Sequence, residues 1–189
     1  MSLHQLDFFA TPPAVPGLVL AEDFVGPGEE AELAAAIDAA RLAPFKFQGW
    51  EGKRLTASFG LAYDFERGRL VEAAPIPAWL EPLRRKAAKL AGLEPDELRH
   101  ALVIRYDPGA GIGWHRDRPQ FGTVIGVSLG APAVLRLRKR RAAGFERRAV
   151  PLPPRSAYVL ADEARHDWEH SIVPQERTRW SITFRSLAR

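Results

Sequence analysis

The alternation of apolar and polar positions changes period along this chain, and the changes divide it into recognisable parts. In AEDFVGPGEEAELAAAIDAARLAPF the apolar Leu33, Ile37 and Ala40 recur at helical spacing, which predicts one helix with a single buried stripe. Glu29 and Glu30 suit its first turn, where backbone N–H groups are unpaired, and Pro44 is expected to stop it. Ahead of it, residues 1–20 read as an apolar lead-in, broken by Pro12, Pro13 and Pro16, that runs into a short strand-like LVL. A second helix is predicted in PAWLEPLRRKAAKLAGLEPDEL. Leu80, Leu83, Ala87 and Leu90 form its apolar stripe, and Arg84, Arg85, Lys86 and Lys89 its wet side.

Between the helices, residues 45–77 break into short extended pieces with aromatic and charged residues interleaved, and Gly49, Gly52, Gly60 and Gly68 mark the turns. Phe47, Trp50, Phe59, Tyr63 and Phe65 either pack a small sheet or form a lid whose rings stack on a planar substrate, with Lys53, Arg54 and Arg67 near phosphates. After the second helix the period becomes two. Leu102, Ile104 and Tyr106 alternate with Val103 and Arg105, and the strand-like pattern continues to the C-terminus. Many short strands separated by Gly and Pro turns, without interposed helices, predict a mainly β fold with flanking helices. The expected architecture is a jelly roll carrying an N-terminal α/β extension.

Composition narrows the chemistry. At 189 residues and 46% hydrophobic content, the chain suits one well-buried core, so residues 1–189 are expected to form a single domain. It contains no cysteine, which excludes disulfides, thiolate metal sites and a cysteine nucleophile; any metal must rest on His, Asp or Glu. The start, MSLHQLDFFATPP, lacks a basic segment followed by a long apolar one, and no apolar run reaches bilayer length. A cytoplasmic protein, monomeric and without a membrane partner, is the expectation. The net charge of +4, carried mostly by arginine, permits a polyanionic partner. RLRKRRAAGFERR reads as a basic hairpin, with Arg136, Arg138 and Arg140 on one face and Arg147 and Arg148 on the partner strand. It either protects a sheet edge or contacts nucleic acid.

The candidate chemistry centres on RYDPGAGIGWHRD, residues 105–117. His115 and Asp117 are two residues apart, so in an extended backbone both side chains point the same way. They would supply two thirds of the 2-His-1-carboxylate set that holds Fe(II) and leaves positions open. His170, in DWEHSIV, can close the triad because a jelly roll brings distant strands side by side, whereas His4 and His100 lack a partner at ligand spacing. In RTRWSITFR, Trp180, Ile182 and Phe184 share one face while Arg179, Ser181, Thr183 and Arg185 share the other. Two guanidiniums on one side of a central strand are costly unless an anion lies between them. Their Cα atoms would stand roughly 20 Å apart, leaving a gap that suits a short dicarboxylate.

The set RYDPG, H-x-D, HSI and RWSITFR, in this order, resembles the AlkB family of Fe(II)- and 2-oxoglutarate-dependent dioxygenases. The resemblance covers residues 101–189 as a catalytic core, and more loosely residues 45–77 as a nucleotide-recognition lid. It implies a double-stranded β-helix and oxidative demethylation of N-alkylated bases in DNA or RNA, with O2 and 2-oxoglutarate consumed and formaldehyde, succinate and CO2 released. It further implies that His115, Asp117 and His170 hold iron. Arg179 would receive the distal carboxylate of 2-oxoglutarate with help from Tyr106, Arg185 would lie near the chelating end, and Ser181 would border the same pocket. Trp50, Tyr63 and Trp168 are candidate walls for a flipped-out or single-stranded base, and Arg54 a candidate phosphate contact. Ile104, Ser181 and Pro119 depart from residues common in the family, so the co-substrate pocket should be less polar and the preferred base is left open. Competing readings are an oxygenase acting on a protein or small molecule, and a non-catalytic jelly-roll binding module.

Overall fold

The computed structural model describes residues 15–189 apart from Gln48 and Gly49; the side chains of Lys46, Phe47, Trp50 and Glu51 also lie outside the described residues. So do His4, Pro12 and Pro13. The chain runs through β1 (Leu18–Ala21), α1 (Pro27–Ala39), β2 (Ala43–Phe47), β3 (Trp50–Phe59), β4 (Leu61–Asp64), β5 (Arg69–Glu72) and α2 (Glu81–Ala91). It continues through β6 (Leu98–Tyr106), β7 (Ile112–His115), β8 (Phe121–Gly130), β9 (Ala133–Arg140), β10 (Phe145–Leu152) and β11 (Ser156–Leu160). The last elements are α3 (Asp162–His166), β12 (Glu169–Ile172) and β13 (Arg179–Leu187).

A seven-stranded sheet has the order β1-β11-β8-β13-β6-β3-β2, a four-stranded sheet the order β10-β9-β12-β7, and β4 pairs with β5. The pairings are antiparallel. This is the jelly roll, mainly β, with helices flanking it and an N-terminal α/β extension. Among the described residues no helix is long and apolar enough to cross a membrane.

Strand β13 lies at the centre of the larger sheet and shows how the pattern becomes architecture. Ile182 and Phe184 point outward into a core with Leu33 and Ile37 of α1 and Leu83, Ala87 and Ala88 of α2. A helix as short as α1 is marginal on its own in water; burying Leu33 and Ile37, at about 1.5–3 kcal/mol each, is what holds it. Polar contacts set its position. Asp38 Oδ1 accepts from Trp180 Nε1 at 2.7 Å and from Arg105 Nη1 at 3.2 Å, and Glu30 Oε1 accepts from the Gly130 N–H at 2.8 Å. The opposite faces of β13 and β6 turn toward the four-stranded sheet, and the space between the sheets holds the site.

Three local expectations need correction, and the register settles a fourth point, the faces of β10. Helix α1 ends before Pro44, because the chain is already extended at Ala40 and Pro44 sits within β2. That strand is at the edge of its sheet, where a missing N–H is tolerated. Gly52 lies inside β3 rather than at a turn, while Gly60 and Gly68 do adopt positive φ. The C-terminal half is not free of helix, since α3 interrupts it between β11 and β12. Arg147 and Arg148 do not share a face: Arg147 pairs opposite Arg138 and Arg148 opposite Leu137, on the two sides of the sheet.

Gly126 marks the tightest approach. It faces Tyr158 in the register, and a Cβ at this position would lie 2.3 Å from the Tyr158 ring. The ring is buried in the cavity wall and would be pushed out of place, so Gly126→Ala is expected to destabilise the protein by about 1–3 kcal/mol through overpacking, measured as a lowered denaturant midpoint at unchanged slope.

Candidate active site

The two sheets bring His115, Asp117 and His170 together. His115 ends β7, and His170 of β12 lies directly opposite it in the register, with ring centroids 4.2 Å apart. Asp117 follows two residues after His115, and one potential ligand atom from each of the three lies within 4.8 Å of the others. The His115 Nδ1 sits 2.9 Å from the Gly113 carbonyl oxygen. Nδ1 therefore carries the proton and Nε2 keeps its lone pair for the cluster. Burial holds both imidazoles neutral, His170 being pushed down to about 3. The 3.6 Å approach of His170 Nε2 to Asp117 Oδ2 is thus two lone-pair donors converging and not an ion pair.

Asp117 is held from behind. Burial alone would raise its pKa, but the Arg185 guanidinium beside it holds the carboxyl well below the usual carboxylate range. Arg185 donates to Asp117 Oδ1 from Nε at 2.7 Å and approaches it with Nη2 at 2.6 Å. Oδ2 is buried without a hydrogen-bond partner. An unsatisfied carboxylate oxygen between two neutral imidazole nitrogens is costly in a protein interior unless a cation completes it, and a divalent ion of the hard-to-intermediate type fits this N2O donor set. Arg185 in turn meets His100, whose Nδ1 lies 3.1 Å from Nη1. Arginine only donates, so His100 accepts, and burial pushes its pKa down to about 3, keeping it neutral for that role.

The other end of β13 carries Arg179, 1% exposed. Its Nε and Nη2 reach Ser128 Oγ at 3.3 and 3.2 Å, and its guanidinium carbon lies 5.1 Å from the Tyr106 ring centroid. Nη1 has no partner although it is buried. A fully buried guanidinium with no carboxylate beside it is a stored cost that an anionic ligand would relieve, which makes Arg179 the fitting group for one end of a dicarboxylate. The two arginines of β13 thus differ in kind: Arg185 is engaged with Asp117, and Arg179 is held only by a neutral hydroxyl. Ile104 and Ser181, opposite each other in the register, line the cavity with Tyr106 and Arg185, whereas Arg179 is not part of that lining and lies against the Tyr106 ring.

That cavity has a volume of about 490 Å3. Its floor is the His115, Asp117 and His170 cluster, and Phe45, Tyr63 and Phe65 stand on its rim. Phe45 and Phe65 meet edge to face at 5.6 Å and Tyr63 and Phe65 at 5.0 Å. The Arg118 guanidinium lies 4.8 Å from the Tyr63 ring centroid and 5.0 Å from that of Phe65. Arg54 also lines the cavity, 4.0 Å over Phe45, with a buried Nε lacking a partner, and burial lowers its pKa. It turns inward rather than toward a phosphate outside. Arg67, the second candidate phosphate contact among the arginines of residues 45–77, pairs with Asp64 at 3.5 Å.

Of the residues singled out from sequence, Trp168 is misplaced. It is 2% exposed, packs in the core beneath the four-stranded sheet, and donates from Nε1 to Glu163 Oε1 at 3.1 Å. Trp168 shares the interior cluster of Leu137 and Ile172, as a two-residue period implies, but the cavity does not extend to it. The backbone of Trp50 belongs to β3 while its side chain lies outside the described residues. Sequence reasoning missed His100, Tyr158, Ser128 and Arg165. His100 was within reach, since it shares the alternation of Leu102, Ile104 and Tyr106 and stands opposite Arg185. Arg165, from the unforeseen α3, donates to the carbonyls of Arg118, Phe121 and Gly122 and pins the loop that follows Asp117. No pattern in the sequence pointed to it.

A jelly roll whose two sheets bring two neutral imidazoles and one carboxylate together beside a cavity carries a donor set of the kind that can hold non-haem iron. The sequence pattern of the 2OG-Fe(II) oxygenase superfamily matches residues 45–185, and the chain belongs to that superfamily as an AlkB-like member. Its cofactors are Fe(II), 2-oxoglutarate and O2. The chain is 26% identical over 183 residues to the Xenopus tropicalis tRNA (carboxymethyluridine(34)-5-O)-methyltransferase alkbh8, covering 88% of this chain and 26% of that protein. It is 28% identical over 189 residues to the Arabidopsis thaliana alkylated DNA repair protein ALKBH8 homolog, covering 84% and 51%. With the human alpha-ketoglutarate-dependent dioxygenase alkB homolog 4 it shares 28% identity over 209 residues, covering 92% and 68%. The chain therefore spans about a quarter and about half of the first two relatives. The solved structure of OsALKBH1 superposes with a TM-score of 0.71 at 16% identity, over 90% of this chain and 97% of that one, and shares its fold.

The depressed histidines give acid sensitivity a definite sign. Folded His100 and His170 take up protons only near pH 3, against an ordinary value of 6.5. Between those values the unfolded chain binds the extra protons, so stability present above pH 6.5 is lost as pH falls, at up to about 1.4 kcal/mol per unit for each group. In the metal-free protein His100→Gln should flatten the fall of unfolding free energy below pH 6.5 by about that amount; an unchanged slope would contradict the assignment.

Proposed function

We propose that this chain oxidatively demethylates N-alkylated bases in DNA or RNA, releasing formaldehyde, succinate and CO2. His115, Asp117 and His170 serve as the iron ligands and residues 45–77 as the lid over the substrate. The observation that carries the reading is the ring cage of Phe45, Tyr63 and Phe65 on the rim of a cavity floored by the ligand cluster. Aromatic edges and faces that line the same cavity as the ligand cluster suit a planar, flipped-out nucleobase better than a flexible peptide side chain. The Xenopus relative is named for tRNA and the Arabidopsis relative for alkylated DNA, and both names support a nucleic-acid substrate.

Iron, with O2 as the oxidant and 2-oxoglutarate as the electron-donating co-substrate, would supply the chemistry that places one oxygen atom on the N-methyl carbon and the other in succinate. The chain's own residues do the positioning. Arg185 fixes one oxygen of Asp117 so that the other stays aimed at the ligand cluster. The Gly113 carbonyl fixes the His115 tautomer. Arg179, with Tyr106 against its guanidinium, takes the distal carboxylate of 2-oxoglutarate, and Ser181 borders the path between. Ile104, Ile112, Leu135 and Phe121 give the cavity apolar walls that displace water from the reacting carbon. The hydroxymethyl group left on nitrogen leaves as formaldehyde without help from the protein.

The test is formaldehyde release from methylated DNA, methylated RNA and a methylated peptide in the presence of iron and 2-oxoglutarate. Release from an oligonucleotide and its loss in Asp117→Ala are expected; release from the peptide alone would discard the nucleic-acid reading in favour of a protein oxygenase. Arg179→Met should raise the KM for 2-oxoglutarate at least tenfold, a loss of about 1.4 kcal/mol or more of binding, while one Fe(II) per chain still binds in anaerobic titration. An unchanged KM would remove Arg179 from the co-substrate site.

A further inference from the structure

The outer face of the four-stranded sheet carries a pattern that the cavity chemistry does not use. Strand β9 turns Leu135 and Leu137 inward and Arg136, Arg138 and Arg140 outward, and the register sets Ala149, Arg147 and Phe145 of β10 beside these three. On the other flank of β9, Ser171 and Glu169 of β12 stand opposite Arg136 and Arg138, and Trp114 of β7 completes the row. Arginines and rings interleave across this face. The guanidinium carbons of Arg136 and Arg138 lie 4.9 and 4.5 Å from the Trp114 ring centroid, and those of Arg138, Arg140 and Arg147 lie 4.4, 5.1 and 5.7 Å from that of Phe145.

Charge is balanced on one side of the hairpin and not on the other. Lys139 pairs with Asp167 and Glu163, and Arg141 and Arg148 pair with Glu146. On the outer face Glu169 meets Arg138 at 2.7 Å. Among the described residues no carboxylate lies within ion-pair distance of Arg136, Arg140 or Arg147; Arg136 donates to Ser171 Oγ at 3.0 Å and Arg147 to the Phe145 carbonyl at 3.4 Å. Protection of a sheet edge does not explain this arrangement. Edge charges belong on β10, whereas Arg136 and Arg138 are one strand in and Trp114 is on the far strand. Trp114 also connects the two regions, since it lines both the active-site cavity and a groove of about 310 Å3 shared with Arg136, Arg147 and Arg148.

Resting on the nucleic-acid reading above, we infer that this face is the track for the single strand flanking the base held in the cavity. The strand leaves the cavity mouth past Trp114 and crosses β12, β9 and β10. Its phosphates meet Arg136, Arg147 and Arg140, and a neighbouring base stacks on Trp114 or Phe145. Outward side chains on one strand recur about every 7 Å, a spacing that lets successive phosphates of an extended strand be met in turn. Guanidiniums beside aromatic faces match a polymer that alternates phosphate and ring, whereas an acidic polypeptide would match the charge alone.

The experiment measures anisotropy of labelled oligo(U) and oligo(dT) across a salt series for the wild type and for Arg136→Gln/Arg147→Gln. The double variant should bind about tenfold more weakly, with a salt slope smaller by about 1.4, two phosphate contacts at about 0.7 each on a single strand. Its thermal unfolding and its 2-oxoglutarate turnover without nucleic acid should match the wild type, and Arg140→Gln/Arg147→Gln, confined to exposed residues, repeats the test should the first variant fold poorly. Equal affinity and slope in a folded variant would overturn the track and leave the substrate reading intact. A wild type that binds neither oligonucleotide would overturn both. Competition by poly-glutamate as strong as by an oligonucleotide of equal charge would reassign the face to an acidic protein.

Discussion

The buried pair of Arg185 and Asp117 is the interaction on which the rest of the site depends. Arg185 belongs to the central strand of the seven-stranded sheet, and Asp117 follows the edge strand of the four-stranded one. Their contact therefore ties the two sheets at the point where the ligands must meet. Separating such a pair leaves an uncompensated charge in the interior, at about 3–5 kcal/mol. The pair also divides the carboxylate's work: one oxygen is committed to the guanidinium, and the other remains for a metal. His100 behind Arg185 and Arg165 on the following loop extend the same support outward.

Strand β13 shows how a single segment serves stability and chemistry at once. Its outward side chains complete the core beneath α1 and α2, and its inward ones carry the polar row from Arg179 to Arg185. Both faces are buried, which explains why its guanidiniums are so tightly accounted for. The apolar face supplies the burial that offsets the polar face's desolvation. The arginines on the outer face of the four-stranded sheet are the opposite case, exposed or half-buried, and their cost is small because water shares it.

Much of this was legible beforehand, for reasons tied to particular residues. A strand has a strict period of two, so RWSITFR declared its two faces without reference to anything else. His115 and Asp117 are near neighbours, and local geometry alone aims them together. Residues such as Arg165 and Ser128 could not be found in this way, because their roles arise from contacts across 44 and 51 positions of chain. Trp168 failed for a related reason: the period places it in the interior, but which part of the interior stays open as a cavity depends on how both sheets pack.

The amino-acid sequence by itself determined the periods, the turns at Gly60 and Gly68, the absence of thiol chemistry and the residue types able to hold a metal, since each follows from local sterics or side-chain chemistry. Tertiary structure decided which distant groups meet: His170 opposite His115, Arg185 on Asp117 rather than on the diacid, Arg54 turned inward, and an outer face on which, among the described residues, Arg138 alone of the β9 arginines meets a carboxylate. These are matters of strand register and sheet order. A shift of one residue in pairing reverses every side chain, and nothing local to a strand records which neighbour it will acquire.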